Sequence, residues 1–495
     1  MIPLLGTLYL LLALGLAVYG LTGLLTLGLY LRHRRDPTPR PRPLRPEDAP
    51  PVTVQLPVYN EAPVIERLID AAAALDYPHQ QLQIQVLDDS TDETTSLAAA
   101  RVAYHRAAGI DIELIHRETR DGYKAGALQA GLEGATGDFI AIFDADFVPQ
   151  PDFMQHTIPF FLEQPNLGMV QTRWGHLNAS YSPLTRAQAI SLDKHFAIEQ
   201  LVRHRANLFP KFNGSGGVWR TACAQAAGGW QADTLCEDLD LSTRAQLDGW
   251  RFLFLSNVVS PAELPPQMSA FKIQQARWAK GSLQCAAKFW RQILGSQRHS
   301  PLGRAYALIS MTGYLAHPLL LGLLLLLPPL LYWGYNFSPL LAWLSIAGIA
   351  QPLLFLLSQQ ALYPHWLRPA AAGLPALALV AVGLAPSNTW SVWETLIRGV
   401  HKFHRTPKFN LLPRPDGGRV KQPLGGFSHI PFTRASHRRH KWSPLILSEL
   451  ALALYALLGA GVALALGSYG SLPFLLLCAA GLGYTAVLSL RDDSA

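Results

Sequence analysis

Two carboxylates follow an apolar run of this 495-residue chain. In "FIAIFDADFVP", residues 139–149, Asp144 and Asp146 stand one residue apart after apolar, β-branched and aromatic residues. Such hard oxygen ligands suit Mg²⁺ or Mn²⁺, which typically binds through one or two carboxylates plus substrate phosphates. Taken alone, the pair is a weak signal that also fits two loop aspartates that cap the helix expected after Pro151. The spacing therefore indicates a divalent-cation site but needs further residues to support it.

Further polar groups stand at comparable positions along the chain. They are Asn60 and Glu61 in "LPVYNE", Asp88 and Asp89 in "QVLDDSTDET", and Glu237 and Asp238 in "LCEDLDLSTRAQLDGW". Glu237 and Asp238 begin a predicted helix, where the helix dipole favours negative charge. The alternative is that Asp238 is a general base, which takes a proton from a reacting group.

A third kind of group occurs in "QQARWAKG", which supplies Gln274, Arg277 and Trp278 on a predicted helix. Basic and aromatic side chains are common near a membrane surface, and an interfacial belt is the ordinary explanation. Arginine also offers a fixed fork of donors for phosphate, and tryptophan offers a flat face for stacking.

These residues are placed by a region that alternates strand-like and helix-like stretches from residue 51 to about residue 300. The predicted strands are "VTVQLP", "QIQVLDD", "IELIH", "DFIAIFDAD" and "GMVQTRW", which closes the set. Strands that alternate with helices predict a parallel sheet covered on both faces. Ligands bind at the carboxyl ends of such strands, where the carboxylates stand.

Apolar tracts flank this region on both sides. Residues 1–31 and 305–367 contain no Asp, Glu, Lys or Arg, and each tract exceeds the roughly 20 residues that cross a bilayer. The first tract lacks a basic start and is followed directly by "RHRR", so a retained anchor fits better than a signal peptide. Arg32, Arg34 and Arg35 then predict that the following chain is cytoplasmic, at the inner or plasma membrane.

The C-terminal part predicts several membrane segments and one cytoplasmic stretch. Apolar segments occur near 306–331, 339–358, 370–387, 445–466 and 471–490. Between the third and fourth, residues 394–442 hold eleven Lys and Arg against two acidic residues, which predicts a cytoplasmic position. Because an even number of crossings must then separate this stretch from the α/β region, we interpret 370–387 as interfacial or re-entrant.

Cysteine usage and net charge exclude other classes of protein. The four cysteines show no metal-ligand spacing and are read as reduced thiols. The net charge of +7 comes from Lys and Arg that crowd beside the apolar tracts, as juxtamembrane anchors do. A lipid bilayer is therefore the expected partner, and no nucleic acid is expected.

Taken together, the motifs resemble those of the processive family 2 glycosyltransferases, which include cellulose, hyaluronan and mannan synthases. The resemblance rests on "DD" at 88–89, "DAD" at 144–146, "ED" at 237–238 and "QQARW" at 274–278, in the family's order. It covers residues 51–281 closely. It implies a GT-A-like α/β nucleotide-sugar glycosyltransferase domain with a mostly parallel sheet, combined with an α-helical transmembrane domain.

The resemblance also implies a role for each residue. Asp238, with Glu237, would be catalytic, and Asp146 with Asp144 would hold Mg²⁺ or Mn²⁺. Trp278 would bind the acceptor, the end of a growing polysaccharide. The nucleotide-sugar donor would be bound by residues from several loops, namely Pro57, Glu61, Asp88, Asp89, Lys124, Asp144, Gln274 and Arg277. Lys124 would contact the phosphate or sugar of the donor; the alternative is an ordinary lysine at a helix start, a position where the helix dipole disfavours a cation.

A further segment, "FHRTPK" at 403–408, resembles the FxVTxK gating loop of cellulose synthases. The matching residues are Phe403, Thr406 and Lys408. Arg405 stands where that pattern has valine, and Cys236 stands where the family usually has threonine before the "ED" pair. A basic surface loop is the alternative explanation for residues 403–408.

The predicted organisation follows from these segments. It comprises an N-terminal transmembrane helix (1–31), a basic Pro-rich linker (32–50), the cytoplasmic glycosyltransferase domain (51–269), amphipathic interface helices (270–302), transmembrane or re-entrant segments (303–389), a basic cytoplasmic stretch with the gating-like loop (390–443) and two transmembrane helices (444–490).

Three functions remain open from the sequence. The favoured one is an inverting, processive β-glycosyltransferase that elongates a glucan or mannan and carries it across the membrane. An enzyme resembling ceramide glucosyltransferases would instead add one sugar to a membrane lipid. A non-catalytic sugar-binding membrane protein would be expected to lose acidic motifs, and none is missing. UDP-glucose is the favoured donor. The segments "VQTRWGHLN" and "KFNGSGGVWR" resemble cellulose-synthase-like mannan and glucan synthases more than cellulose synthase itself, and this resemblance would also allow GDP-mannose.

Overall fold

The computed structural model describes residues 1–398, 405–411 and 443–492. It combines an α/β domain built on one sheet with a group of long apolar helices. This combination confirms the predicted fold class.

Seven strands form the sheet of the α/β domain. They are β1 (Val52–Val58), β2 (Leu82–Asp88), β3 (Asp111–His116), β4 (Phe139–Ile142), β5 (Leu167–His176), β6 (Gly217–Arg220) and β7 (Arg251–Ala262). Their order across the sheet is β3-β2-β1-β4-β6-β5-β7. All seven residues of β1 are buried, as expected for a strand covered by helices on both faces.

The sheet is mostly parallel, with one strand reversed. Strands β1 to β4 pair in parallel, β6 runs antiparallel to both β4 and β5, and β5 and β7 are again parallel. The expectation that β5 closes the set was wrong, because β6 and β7 follow it in the chain. Strand β6 has only four residues in a glycine-rich stretch, yet its Trp219 is fully buried.

Ten helices of the domain follow in chain order between and after these strands. They are α2 (Ile65–Ala73), α3 (Thr94–Ala107), α4 (Tyr123–Glu133), α5 (Phe153–Glu163), α6 (Pro183–Lys194), a π-helical segment (His195–Gln200), α7 (Leu201–Arg205), α8 (Thr221–Ala226), α9 (Glu237–Leu247) and α10 (Met268–Gly295). The N-terminal helix of the chain is α1 (Ile2–His33).

Apolar helices make up most of the rest of the described chain. They are α11 (Pro301–Met311), α12 (Ala316–Tyr332), α13 (Leu340–Ile346), α14 (Ala350–Leu362), α15 (Leu367–Gly383), α16 (Ala385–Arg398), α17 (Pro444–Ala465) and α18 (Leu472–Asp492). Within the described residues, five helical stretches are long and apolar enough to cross a membrane: Ile2–His33, Gly313–Tyr332, Leu340–Leu362, Pro444–Ala465 and Tyr469–Asp492. Helices α15 and α16 pass the same test only as a pair bent by 40°.

Helix α10 connects the α/β domain to the apolar helices. Its Lys272 Nζ lies 2.6 Å from Glu449 Oε1 on α17 and donates a 2.8 Å hydrogen bond to Ser489 Oγ on α18. Both charged side chains are buried, and removing one partner of such a pair leaves an uncompensated charge. The pair therefore fixes the position of α10 relative to the C-terminal helices.

Candidate active site

Two adjoining cavities open at the carboxyl edge of β1 and β4. The inner cavity, of about 50 Å³, is lined by Trp174, His176, Asn213, Asp238 and Trp278 among others. The outer cavity, of about 80 Å³, is lined by residues that include Pro57, Tyr59, Glu61, Asp89 and Arg120. Both share Lys124, Asp144, Arg277 and Lys408 in their walls. The structure thus brings most of the predicted site residues to one place.

Lys124 joins two of the acidic motifs. Its Nζ lies 2.7 Å from Asp144 Oδ1 and 3.3 Å from Glu237 Oε1, and it donates a 2.9 Å hydrogen bond to the carbonyl of Gly214. Burial opposes its charge, but Asp144 and Glu237 raise the pKa of Lys124 above its ordinary value. Lys124 is therefore a permanent cation at the boundary of the two cavities, where it can bind an anionic group.

Asp146 is held by a residue from a distant part of the chain. Lys408 Nζ lies 2.6 Å from Asp146 Oδ2, and the neighbouring carboxylates raise the pKa of Lys408 although burial opposes its charge. The other oxygen, Oδ1, is buried and has no hydrogen-bond partner among the described residues. An unpaired buried carboxylate oxygen leaves a strong acceptor available for a cation.

The chemistry of this donor set fits Mg²⁺ or Mn²⁺. Asp144 and Asp146 offer carboxylate oxygens, and Asp146 Oδ1 is the buried oxygen left without a partner in the part of the chain that is described. Within that same part, no three His, Cys, Asp or Glu side chains are grouped to hold a metal alone. This is compatible with a cation that takes one or two carboxylates and completes its coordination with phosphate oxygens and water.

Glu61 approaches the same cluster from the end of β1. Its Oε1 lies 3.7 Å from Arg405 Nη1, and only 7% of the residue is exposed. Burial, assisted by the charges of Asp144 and Asp146, raises the pKa of Glu61 to about 8 despite Lys408 and Arg405. The raised pKa favours the protonated form of Glu61, which can donate a hydrogen bond to a bound group.

Asp238 has the properties of a base on the inner cavity. Burial, with the neighbouring charge of Glu237, raises the pKa of Asp238 to about 7, against the opposing effect of Lys124. Such a value suits a side chain that accepts a proton near neutral pH. Gly214 faces it at φ +85°, and a Cβ there would lie 3.2 Å from Asp238 Oδ2. The glycine keeps space beside the carboxylate.

Helix α10 contributes Gln274, Arg277 and Trp278, which all line the inner cavity. They lie at i, i+3 and i+4, so they share one face of the helix. Arg277 also lines the outer cavity. A single helical face therefore presents a cation to both cavities and an indole ring to one of them.

The two aspartates at the end of β2 are placed differently. Asp88 is fully buried and accepts hydrogen bonds from the Ser90 N–H and the Thr95 hydroxyl, and His116 Nδ1 lies 2.8 Å from its Oδ2. Among the described residues it is not in the lining of either cavity. Asp89 lines the outer cavity. Arg117 donates hydrogen bonds to both of its carboxylate oxygens, from Nε to Oδ1 at 2.7 Å and from Nη2 to Oδ2 at 2.6 Å. The hydrogen bonds from Ser90 and Thr95 indicate that Asp88 stabilises the loop between β2 and α3.

The gating-like loop is described in part. Thr406 and Lys408 line the outer cavity, and Thr406 Oγ1 is buried without a hydrogen-bond partner in the part of the chain that is described. Phe403, the third predicted residue of this loop, lies outside the described residues.

Several lining residues are absent from the sequence-based set. The Arg120 guanidinium stacks 3.4 Å from the centre of the Tyr59 ring in the outer cavity. In the inner cavity, Asn213 bonds to His195, and His176 Nε2 lies 3.0 Å from Asp193 Oδ1. The charged run "RETRDGYK" before α4 and the "FNGSGG" turn are the signals that could have identified Arg120 and Asn213.

A model of a known protein family matches the same part of the chain. Residues 50–281 match the family described as "Glycosyltransferase like family 2". A solved structure, the mannosyltransferase PcManGT from Pyrobaculum calidifontis in complex with GDP-Man and Mn²⁺, is similar with a TM-score of 0.54 and 21% identity. The match covers 78% of this chain and 98% of that one, and it supports the fold.

Curated relatives from plants are more similar in sequence. "Probable glucomannan 4-beta-mannosyltransferase 10" of Arabidopsis thaliana is 41% identical over 268 residues, which are 53% of this chain and 49% of that protein. "Glucomannan 4-beta-mannosyltransferase 1" of Oryza sativa subsp. japonica is 41% identical over 273 residues, 54% of this chain and 52% of the relative. The chain thus spans about half the length of these relatives. Together with the GT-A-like sheet, the matches identify residues 50–281 as a domain of glycosyltransferase family 2.

Proposed function

We propose that the protein is a membrane-embedded, inverting β-glycosyltransferase that extends a polysaccharide of the mannan class from a nucleotide sugar. The observation that carries this proposal is the meeting of Asp144, Asp146, Lys124 and Lys408 beside Asp238, at the boundary of the two cavities. Cationic and metal-binding groups suit a diphosphate, and the carboxylate beyond them suits a base.

The reaction would divide between the two cavities. The outer cavity would hold the nucleoside, with Tyr59 and Arg120 as a stacking surface and Asp89 as an acceptor for hydroxyl groups. The diphosphate would lie between Lys124 and Lys408. Asp144 and Asp146 would hold a divalent cation, which supplies neutralisation of charge on the leaving diphosphate.

The transferred sugar and the acceptor would meet in the inner cavity. Asp238 would take the proton from an acceptor hydroxyl as its oxygen bonds to the anomeric carbon and the bond to the diphosphate oxygen breaks. One displacement from the opposite face inverts the anomer, so an α-linked donor gives a β-linkage. Trp278 would stack against the acceptor sugar, and Gln274 would hydrogen-bond to it.

GDP-mannose is the donor that we propose, in place of the UDP-glucose favoured by the sequence alone. The names of the plant relatives, glucomannan 4-beta-mannosyltransferases, support a mannosyl donor. Mannose and glucose differ at one hydroxyl, and a site distinguishes such epimers through the few hydrogen bonds made to that hydroxyl.

The contact of Lys408 with Asp146 supports a membrane topology. Because residues 405–411 touch the α/β domain, both are on one side, and an even number of crossings separates them. Helices at Gly313–Tyr332 and Leu340–Leu362 would provide two, and the bent pair α15–α16 would re-enter on the cytoplasmic side. This arrangement agrees with the basic residues after α1, and it would allow the product to pass outward between the helices.

A transfer assay with two labelled donors tests the proposed function. Membranes that contain the protein would be incubated with GDP-[¹⁴C]mannose or UDP-[¹⁴C]glucose and Mn²⁺. We expect incorporation from GDP-mannose into material that an endo-β-mannanase degrades. Product found solely as a chloroform-soluble glycolipid would favour the single-transfer alternative, and the absence of incorporation from both donors would contradict the proposal.

The raised pKa of Asp238 predicts how the activity depends on pH. Since the base must be deprotonated, kcat/KM should rise about tenfold per pH unit below pH 7 and level off above it. Initial rates of sugar transfer between about pH 5 and pH 9 measure this profile.

Glu237→Gln provides the comparison for this profile. Glu237 raises the pKa of Asp238, so its neutral replacement should move the acidic limb to lower pH. If the acidic limb of the pH profile does not move in this variant, the group that titrates is not Asp238.

Cysteine labelling tests the topology. The four natural cysteines are buried, so they should react little with a thiol reagent. Labelling of a single cysteine introduced at an exposed position can therefore be measured. In sealed spheroplasts, Asn336→Cys between the first two C-terminal spans should react with an impermeant maleimide. His365→Cys, after the second span, should react only once the membrane is permeabilised. Equal reactivity of both positions would contradict the two-crossing arrangement.

A further inference from the structure

A third cavity, of about 640 Å³, lies among the apolar helices and not in the active site. We call it the helix cavity. Helix α1 lines it from Tyr9 to Thr26. Further walls come from the helices after the α/β domain, including Tyr306 of α11, Leu323 of α12, Leu341 of α13 and Leu354 of α14. One end reaches the π-helical segment and α7.

The shape of the helix cavity matches a long apolar group. The seventeen-residue interval from Tyr9 to Thr26 on α1 corresponds to about 25 Å of helix, which is close to the thickness of the hydrocarbon layer. Between these ends, α1 contributes Ala13, Leu16 and Ala17. These side chains provide dispersion contacts to a hydrocarbon chain. The cavity is also lined by Tyr19 and Thr22, whose hydroxyls donate hydrogen bonds to the carbonyls of Thr312 and Val18.

Charged side chains stand at one end of this apolar space. Lys194 Nζ lies 2.6 Å from Glu199 Oε1, and Arg203 Nη2 lies 3.8 Å from Glu199 Oε2. All three residues line the helix cavity. A long apolar space with a charged end has the form of a binding site for an amphipathic molecule.

Arg203 is incompletely satisfied within the part of the chain that the structure describes. It is 4% exposed, and its Nε and Nη1 have no hydrogen-bond partner among those residues. A buried guanidinium with unpaired N–H groups is unfavourable, so an acceptor that reaches it would be bound strongly. The two free donors point to an anionic, oxygen-rich group such as a phosphate.

The balance of charge at this end favours an anion. Burial alone would raise the pKa of Glu199. Lys194, His195 and Arg203 outweigh this effect and hold the pKa of Glu199 well below its usual value, so its carboxylate is ionised. Burial lowers the pKa of His195, which leaves its ring neutral at pH 7. Two cations and one anion therefore leave one net positive charge beside the cavity.

The local backbone agrees with a functional position. Residues 195–200 form a π-helical segment within the otherwise α-helical stretch from Pro183 to Arg205. Such segments are rare and frequently occur at functional sites. This one carries Glu199 and separates Lys194 from Arg203.

We propose that the helix cavity binds one anionic phospholipid, with its phosphate against Arg203 and Lys194 and an acyl chain along α1. The charge at the end of the cavity selects the head group, and the leucine and alanine walls select the chain. The site requires the membrane location proposed above but not the reaction, so it can be tested without transfer activity.

Lipid binding to the purified full-length chain in detergent tests this site. The probes are fluorescently labelled phosphatidylglycerol, which is anionic, and phosphatidylcholine with the same chains, which is zwitterionic. We expect phosphatidylglycerol to bind about tenfold more tightly, because both lipids offer a phosphate but the choline cation of phosphatidylcholine is repelled by the net positive charge at this end of the cavity. Arg203→Gln removes the net positive charge, so it should weaken the binding of both lipids and abolish the preference for phosphatidylglycerol.

Matched variants separate the site from general effects on the fold. Ala13→Phe fills the cavity and should weaken both lipids, whereas Leu14→Phe, which is exposed on α1, should weaken neither. Arg205→Gln is the charge control, because Arg205 donates to the His33 carbonyl outside the cavity. Lys194→Gln provides a second head-group variant should Arg203→Gln fail to fold.

Defined outcomes would overturn the proposal. Equal affinity of the unmodified protein for the two lipids would exclude selection of the head group. If Arg203→Gln and Arg205→Gln lose the same affinity for phosphatidylglycerol, binding depends on the positive charge of the region in general and not on a site at Arg203. Displacement of the lipid by a soluble β-manno-oligosaccharide would assign the cavity to sugar instead. None of these results depends on whether the transfer assay succeeds.

Discussion

Replacing Asp238 by asparagine should lower kcat by about 10²–10⁴-fold, the usual contribution of a general base, and leave donor affinity within about twofold. The amide has nearly the same size as the carboxylate, so Leu239 N–H, 2.7 Å from Oδ1, still finds an oxygen to accept its hydrogen bond. What the variant loses is a group that can accept a proton at neutral pH. A lower kcat with an unchanged binding constant for GDP-mannose, measured by calorimetry, would establish this role.

The control for this variant is Asp248→Asn, which makes the same change at an exposed position at the other end of α9. It should keep full activity. If Asp238→Asn retained full transfer activity, the base would have to be another group. Glu237 is the adjacent carboxylate, and its Oε1 lies 3.3 Å from Lys124 Nζ.

The first five strands could be predicted because each is a short run rich in β-branched and other apolar residues that alternates along the chain with helix-like stretches. Strand β6 could not, since its four residues, Gly217 to Arg220, follow a glycine-rich turn and have no periodic pattern. Its place between β4 and β5 is set by pairing with both neighbours. Strand β7 begins after "LDGW", directly behind a helix, and its bulged register with β5 is likewise a tertiary effect.

The meeting of the acidic motifs could be predicted for a general reason. The carboxyl ends of parallel strands lie at one edge, so Glu61, Asp89 and Asp144 had to be neighbours. The sequence could not distinguish Asp88 from Asp89. Adjacent residues of a strand point to opposite faces of the sheet. At the end of β2, Asp88 bonds to the loop that follows, whereas Asp89 lines the outer cavity.

The arrival of Lys408 at Asp146 could not be predicted from local pattern. These residues are separated by 262 positions and by several apolar helices, so their contact depends on how those helices pack. The resemblance of "FHRTPK" to a gating loop implied that the segment is near the nucleotide, but not which carboxylate its lysine would meet.

Replacing Asp146 by asparagine should lower transfer activity by about 10³-fold, because a metal that loses a charged ligand stabilises the leaving diphosphate far less. In the structure, Lys408 Nζ lies 2.6 Å from Asp146 Oδ2, and Asp146 Oδ1 is the oxygen that would be left for the cation. Addition of GDP and Mn²⁺ should raise the Tm of the unmodified protein but not that of Asp146→Asn.

The matched control is Asp152→Asn, a neutral replacement at an exposed carboxylate six residues further along the same loop. It should keep both the activity and the rise in Tm. Treating the unmodified protein with EDTA should reproduce the loss seen in Asp146→Asn, and adding Mn²⁺ should restore only the unmodified protein. A GDP-dependent rise in Tm of the same size in Asp146→Asn, with or without Mn²⁺, would mean that Lys124 and Lys408 hold the diphosphate by themselves. The reaction would then depend on the two lysines instead of a metal held at Asp146.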